Sequence, residues 1–174
     1  MNKHLVFALE GILIPPLTQV AAGVVPVNQL SDLVLESVVT WGQRELSDEQ
    51  FLEQVAEHTS MEPQTVMSEI KAGIEVNVQT IEYIRELASG VEVSFASDVP
   101  STIESELLRF TGSIGPTTRL EPPLYQKELD LGQQRLFIAW NSQLVYEWSD
   151  AGCDTLVFVD HYRLDRELRL RGIV

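Results

Sequence analysis

The sequence has a single cysteine, Cys153, so no disulfide can form within the chain. That fits a reducing compartment and excludes the small, disulfide-stapled class of secreted fold. Long apolar runs are also missing. The stretch Val20 to Val27 is interrupted by Gly23 and Pro26 and is far too short to span a bilayer. After Met1-Asn2-Lys3-His4 comes a short apolar run broken by Glu10, without the long apolar segment or small-residue cleavage site of a signal peptide. The expectation is a soluble, cytoplasmic protein with no membrane partner. Basic residues are scarce: 12 Lys and Arg face 26 Asp and Glu, for a formal net charge of -14. Such a field repels phosphate backbones, so nucleic acid is not an expected partner. Internal repeats and low-complexity tracts are absent.

What remains is ordinary globular composition. Hydrophobic residues make up 44% and charged residues 22% of the 174 positions, enough for one cored domain, or a core with an insert. Leu5 to Leu9 is a compact apolar run ending in Glu10-Gly11, the pattern of a buried strand followed by a turn. A Pro- and Gly-punctuated connection is expected from Pro15 to Pro26. Helical spacing then follows. Leu30, Leu33, Val34, Val38 and Trp41 form one stripe. Ser47 with Gln50 makes a capping box ahead of Phe51, Leu52 and Val55. Pro63 opens a stretch carrying Val66, Met67 and Ile70. Ile81, Ile84 and Leu87 mark a further helix that ends near Gly90.

From Val91 onward the pattern alternates. Val91 to Ala96 reads as a strand, and Ser101 with Glu104 as a capping box for a helix bearing Ile103, Leu107 and Leu108. Leu136 to Ala139 is a second short strand, followed by helical spacing through Leu144, Val145 and Trp148. Thr155 to Val159 is a third, and Leu164, Leu168 and Leu170 lie on a closing helix. Strands alternating with helices predict a parallel sheet covered on both faces. The helical run from about residue 17 to 79 interrupts the alternation once.

This layout resembles the haloacid-dehalogenase-like (HAD-like) hydrolases: a Rossmannoid α/β core, here 1–15 and 80–174, with a helical cap inserted at 16–79. Four motif positions carry the resemblance, in order, over nearly the whole chain. The family's opening strand ends in Asp-x-Asp-Gly; here the residues are Ala8-Leu9-Glu10-Gly11. Its second strand ends in Ser or Thr; here Val93-Ser94-Phe95-Ala96-Ser97-Asp98. Its third motif carries a basic residue near Pro and Tyr; here Arg119-Leu120-Glu121-Pro122-Pro123-Leu124-Tyr125. Its fourth strand ends in paired acids; here Leu136-Phe137-Ile138-Ala139-Trp140-Asn141, with a helix running to Ala151-Gly152. An alternative register places the fourth motif at Leu156 to His161, with Asp160 as the acid.

The resemblance implies phosphoryl transfer through an aspartyl nucleophile and magnesium, and the substitutions remove most of its parts. Ala8 stands at the nucleophile position, where a methyl group cannot attack phosphorus. Glu10 retains a carboxylate suited to general acid or base work. Ala139 and Trp140 replace the acids that hold the metal, and Asn141 offers one neutral oxygen, so magnesium is not expected and no cofactor is implied. Ser97 and Arg119 remain as an anion-binding pair. Each residue also has a structural reading. Ser97 can cap its helix, Arg119 can pair with Glu121, Glu10 can be a solvated turn residue, Trp140 can fill the vacated metal cavity, and Cys153 can be a small buried hydrophobe. His4, His58 and His161 lack ligand spacing.

The expectation is therefore a catalytically degenerate HAD-like protein, a pseudoenzyme that binds a phosphorylated small molecule or a protein partner. Two alternatives are carried with it. One is a HAD-like phosphatase with chemistry rebuilt around Glu10 or Asp98. The other is a structural or homodimerising module using cap surface such as Val20 to Val27.

Overall fold

The computed structural model describes residues 4–119 and 135–174. Strand β1 (His4–Ala8) is followed by four helices, α1 (Leu17–Val24), α2 (Asp32–Gly42), α3 (Asp48–His58) and α4 (Pro63–Gly73). Then come α5 (Val78–Leu87), β2 (Glu92–Ser97), α6 (Ser101–Thr111), β3 (Thr117–Arg119), β4 (Arg135–Ala139), α7 (Ser142–Asp150), β5 (Asp154–Val157) and α8 (His161–Leu170). The strands form one five-stranded sheet, order β3-β2-β1-β4-β5, with every pairing parallel. This is the α/β architecture expected from the alternation.

Strand β1 is central, and all of its residues are buried. A parallel strand covered on both faces has no solvent side, which explains why His-Leu-Val-Phe-Ala reads as a run and not as an alternation. The polar member, His4, bonds within the sheet through its Nε2, which lies 2.7 Å from Ser94 Oγ.

The helices α1 to α4, which lie between β1 and α5 and are called the cap below, pack on one another, with Trp41 stacked on Phe51 at 4.2 Å between ring centres. Helix α3 opens with the expected reciprocal capping box of Ser47 and Gln50, and α4 with Pro63 at its first turn. Helix α1 corrects the expected loop at 15–26. Leu17, Val20 and Ala21 are buried on one face at helical spacing, and the Leu17 N–H is capped from outside the helix, by Glu10. The correction reaches the Val20 to Val27 surface too: Val20, Ala21 and Val25 belong to the core, while Val27 is exposed. The Ser101–Glu104 capping box does not form either. Pro100 is the N-cap of α6, and the Glu104 side chain turns back toward the sheet. Among the described residues no helix is long and apolar enough to cross a membrane.

Candidate functional site

The register brings the motif positions together. Ala8 pairs with Ala96, Phe7 with Ile138, and Ser97 with Arg119, so the carboxyl ends of β1, β2, β3 and β4 lie side by side. Ligand sites of open parallel sheets form outside this edge. Because β4 neighbours β1, Leu136 to Asn141 lie beside the opening strand. Asp160, the acid of the alternative register, follows the edge strand β5 and caps α8, accepting the Arg163 N–H at 2.8 Å.

Beyond β1 the chain makes one helical turn, with the N–H groups of Ile12 and Leu13 donating to the Leu9 carbonyl. The N–H groups of Leu9 and Glu10 point instead toward Asp98, and both donate to its Oδ1, at 2.8 and 3.0 Å. Two successive amides aimed at one oxygen form an anion-binding concavity, and here the chain's own carboxylate fills it. Burial pushes the Asp98 carboxyl up to about 6 against the opposing pull of these hydrogen bonds.

Glu10 is half-buried and is not a solvated turn residue. Its Oε1 accepts the Leu17 N–H at 2.7 Å and so ties the motif loop to the start of the cap. Burial, reinforced by the charge of Asp98, raises its carboxyl to about 7. A carboxyl poised near neutrality suits proton transfer.

Ser97 is fully buried and does not cap its helix. Its hydroxyl donates to Glu104 Oε2 at 2.5 Å. Arg44, from the turn between α2 and α3, reaches the same point. Its Nη2 lies 2.7 Å from Ser97 Oγ and 2.6 Å from Glu104 Oε2, and its Nε donates to the Val99 carbonyl at 2.7 Å. Arg119 approaches the other Glu104 oxygen at 3.5 Å. Its structural partner is therefore Glu104; Glu121, along with the Pro and Tyr of the third motif, lies outside the described residues. Burial pushes the Glu104 carboxyl up, but the hydrogen bonds from Ser97 and Arg44 outweigh it and hold the group below its usual range. The two residues expected to grip an anion thus both face an internal carboxylate.

Neither Arg44 nor Glu104 reads as a site residue in the sequence; Glu104 reads there as half of a capping box with Ser101. Arg44 has no motif around it. The only signal is its scarcity, since Arg44 and Lys71 are the basic residues of an acidic cap. Its backbone is left-handed, φ 61°, a conformation that costs a non-glycine residue about 1 kcal/mol. Its Nη1 is buried without a hydrogen-bond partner among the described residues.

Trp140 departs from expectation. Its side chain does not fill a vacated metal cavity; it is 44% exposed and lies across Gly11, where an added Cβ would come within 2.5 Å of Trp140 Cβ. Gly11 itself has φ +71°, so the turn needs glycine twice over. Trp41 and Trp148 are fully buried and form no patch with Trp140. Cys153 is partly buried, and burial raises its thiol pKa, which keeps the reactive thiolate scarce.

Between cap and core, over the strand ends, lies a cleft of about 190 Å³. Its walls carry the carboxylates Glu10, Asp98 and Glu147, the ring of Trp140, and apolar cap residues such as Leu17 and Val38, with no Lys or Arg among the described residues. Around the strand ends Ala8 and Ala139 present methyl groups, while Glu10 and Asp98 each have one oxygen engaged by backbone N–H groups. Among the described residues no three His, Cys, Asp or Glu side chains converge as a metal site.

No protein-family model matches the chain, and no curated protein matches its sequence. Solved structures do match. A HAD family enzyme from Bacteroides thetaiotaomicron, in complex with magnesium and inorganic phosphate, superposes with a TM-score of 0.65 at 12% identity, over 90% of this chain and 94% of that one. The L-2-haloacid dehalogenase from Xanthobacter autotrophicus with covalently bound chloropropionic acid gives 0.62 at 15% identity, over 100% and 85%. A hydrolase from Streptococcus pneumoniae gives 0.61 at 12% identity, over 97% and 98%. The fold is that of the HAD-like hydrolases. At these identities the likeness is one of fold, and function rests on the site.

Proposed function

We propose that this chain is a HAD-like binding protein without phosphoryl-transfer chemistry. One observation carries the reading: the chain's own carboxylates occupy the places where a phosphoryl group would be gripped. Asp98 takes the amides of Leu9 and Glu10, and Glu104 takes Ser97, Arg44 and Arg119. With Ala8 at the nucleophile position there is also nothing to form a covalent intermediate. Between the two kinds of ligand expected from the sequence, a protein partner is favoured over a phosphorylated small molecule. A phosphate would have to displace Glu104, and the acid-walled cleft above repels it.

The test is twofold. Wild-type protein with magnesium should release no phosphate from p-nitrophenyl phosphate above background. Inorganic phosphate titrated by calorimetry should give no binding to wild type and saturable binding to Glu104→Gln, in which the internal charge is gone. In that background Arg119→Ala should weaken binding by about tenfold or more and Ser97→Ala by less, since a charged hydrogen bond contributes roughly 1.5–3 kcal/mol and a neutral one about 0.5–1.5. Phosphate binding by wild type that depends on Arg119 and Ser97 would restore the small-molecule reading.

A second reading, a hydrolase rebuilt around Glu10, draws on the carboxyl near 7. Magnesium-stimulated phosphate release by wild type, lost in Glu10→Gln, would establish it and overturn the first.

A further inference from the structure

Strand β5 (Asp154–Val157) is the last strand of the sheet, and among the described residues nothing pairs with its outer edge. The Phe158 N–H donates inward to Ala139. Backbone groups alternate sides along a strand, so Leu156 also faces β4, and Thr155 and Val157 aim their N–H and C=O groups outward. Beside this strand lies a groove of about 470 Å³, lined by Val145 of α7, by Val157 and Val159, and by Arg163, Leu164 and Arg166 of α8. Val157 and Val159 are 46% and 55% exposed. Open edges attract strands, and proteins guard them with proline, lysine and other charges, bulges or shortness; β5 is short, but Asp154 to Val159 contains no proline or lysine, and its one charge, Asp154, is paired with Arg171.

The charge of the groove is opposite to that of the molecule. The chain carries -14 overall, yet Arg163, Arg166, Arg169 and Arg171 crowd its last helix and turn against Asp165 and Glu167. Arg169 is paired with Asp165 and Arg171 with Asp154. The side chains of Arg163 and Arg166, the two that line the groove, form no ion pair among the described residues. Glu167 is the acid that shares the lining.

We infer that the β5 edge is a docking site for an extended segment of a partner protein in which apolar and acidic residues alternate. The segment adds a strand to the sheet. Its backbone takes the outward groups of Thr155 and Val157, its apolar side chains cover Val157 and Val159, and its carboxylates meet Arg163 and Arg166. A second copy of this chain fits less well, because a two-fold interface places a patch against itself and would bring arginine to arginine.

The test uses the full chain and a fluorescein-labelled synthetic peptide alternating valine and glutamate, followed by anisotropy, with a valine–lysine peptide as control. Wild type should bind the glutamate peptide saturably below millimolar concentration and leave the lysine peptide unbound. Arg163→Glu combined with Arg166→Glu, both on the surface, should weaken binding by about tenfold or more. Val157→Pro removes an outward N–H while sparing the ladder to β4, and should abolish binding with the circular dichroism spectrum unchanged. If Val157→Pro unfolds the chain, Thr155→Pro serves the same purpose. No binding to wild type, equal binding of both peptides, or binding indifferent to the prolines overturns the inference. A wild-type dimer in sedimentation that Val157→Pro dissociates overturns it in favour of a second copy. None of these results depends on the phosphate assays, so this inference and the proposed function fail separately.

Discussion

Arg44 of the cap and Glu104 of the core meet at 2.6 Å, with both side chains 12% exposed. Ser97 shares the contact, and the Arg44 Nε is spent on the Val99 carbonyl, so one cap residue is bolted to two successive elements of the core. Removing one member of a buried pair strands the other, at a cost of about 3 kcal/mol. Arg44→Ala should lower unfolding stability in urea by about that much. Glu104→Gln should cost less, because the amide oxygen still accepts from Ser97 or Arg44. A loss below about 1 kcal/mol for Arg44→Ala would show that the contact does not hold cap to core.

Glu10 makes stability depend on pH. Its carboxyl stands at about 7 in the folded chain against 4.5 without the fold. The folded state therefore holds a proton that the unfolded state releases between those values. Stability from this group is fully present below about pH 4.5 and is lost as pH rises through about 7. Glu10→Gln keeps an acceptor for the Leu17 N–H but cannot ionise. It should be indistinguishable from wild type near pH 4 and more stable near pH 8 by up to about 3 kcal/mol. Denaturant titrations of the pair across that range decide it; a constant difference at all pH would mean that Glu10 is not shifted.

Gly11 sits at φ +71° with Trp140 across it. Gly11→Ala adds a methyl group in a left-handed turn and drives it into Trp140 Cβ. The expected loss is at least about 1–3 kcal/mol. Trp140→Ala should not rescue it, since that change retains the Cβ that clashes. Rescue in the double variant, seen as a recovered melting temperature, would place the clash at the ring.

Restoring the nucleophile alone should not restore chemistry. Ala8→Asp supplies a carboxylate at the end of β1, but Ala139 and Trp140 still offer no metal ligand, and Asp98 still fills the amides of Leu9 and Glu10. Phosphate release by Ala8→Asp with magnesium should remain at background. Release above that of Ala8→Asn would show that the site keeps more of its machinery than its donor set suggests.

The local signals that the sequence carried were of two kinds, and both survive in the structure. Buried parallel strands favour apolar residues, so the runs Leu5 to Leu9 and Leu136 to Ala139, and Val91 to Ala96 with Glu92 and Ser94 between its apolar residues, could be found from sequence alone. Ala8, Ser97 and Ala139 stand at the ends of those strands, and the parallel pairing sets those ends side by side. Caps depend on residues three apart, and Ser47 with Gln50 was legible for that reason. What side chains do across the fold was not legible. Ser101 with Glu104 has the same spacing as a capping box, but Glu104 has better partners in Ser97 and in Arg44, 60 residues earlier in the chain. Helix α1 was hidden because the acceptor that caps it, Glu10, lies before the prolines that suggested a loop. Asp98 looked like a residue beside the motif, and only the approach of β1 to β2 sets its carboxylate on the amides of Leu9 and Glu10. Backbone pattern follows from neighbours in sequence. The choice of hydrogen-bond partner is made among groups that only folding brings within 3 Å of one another.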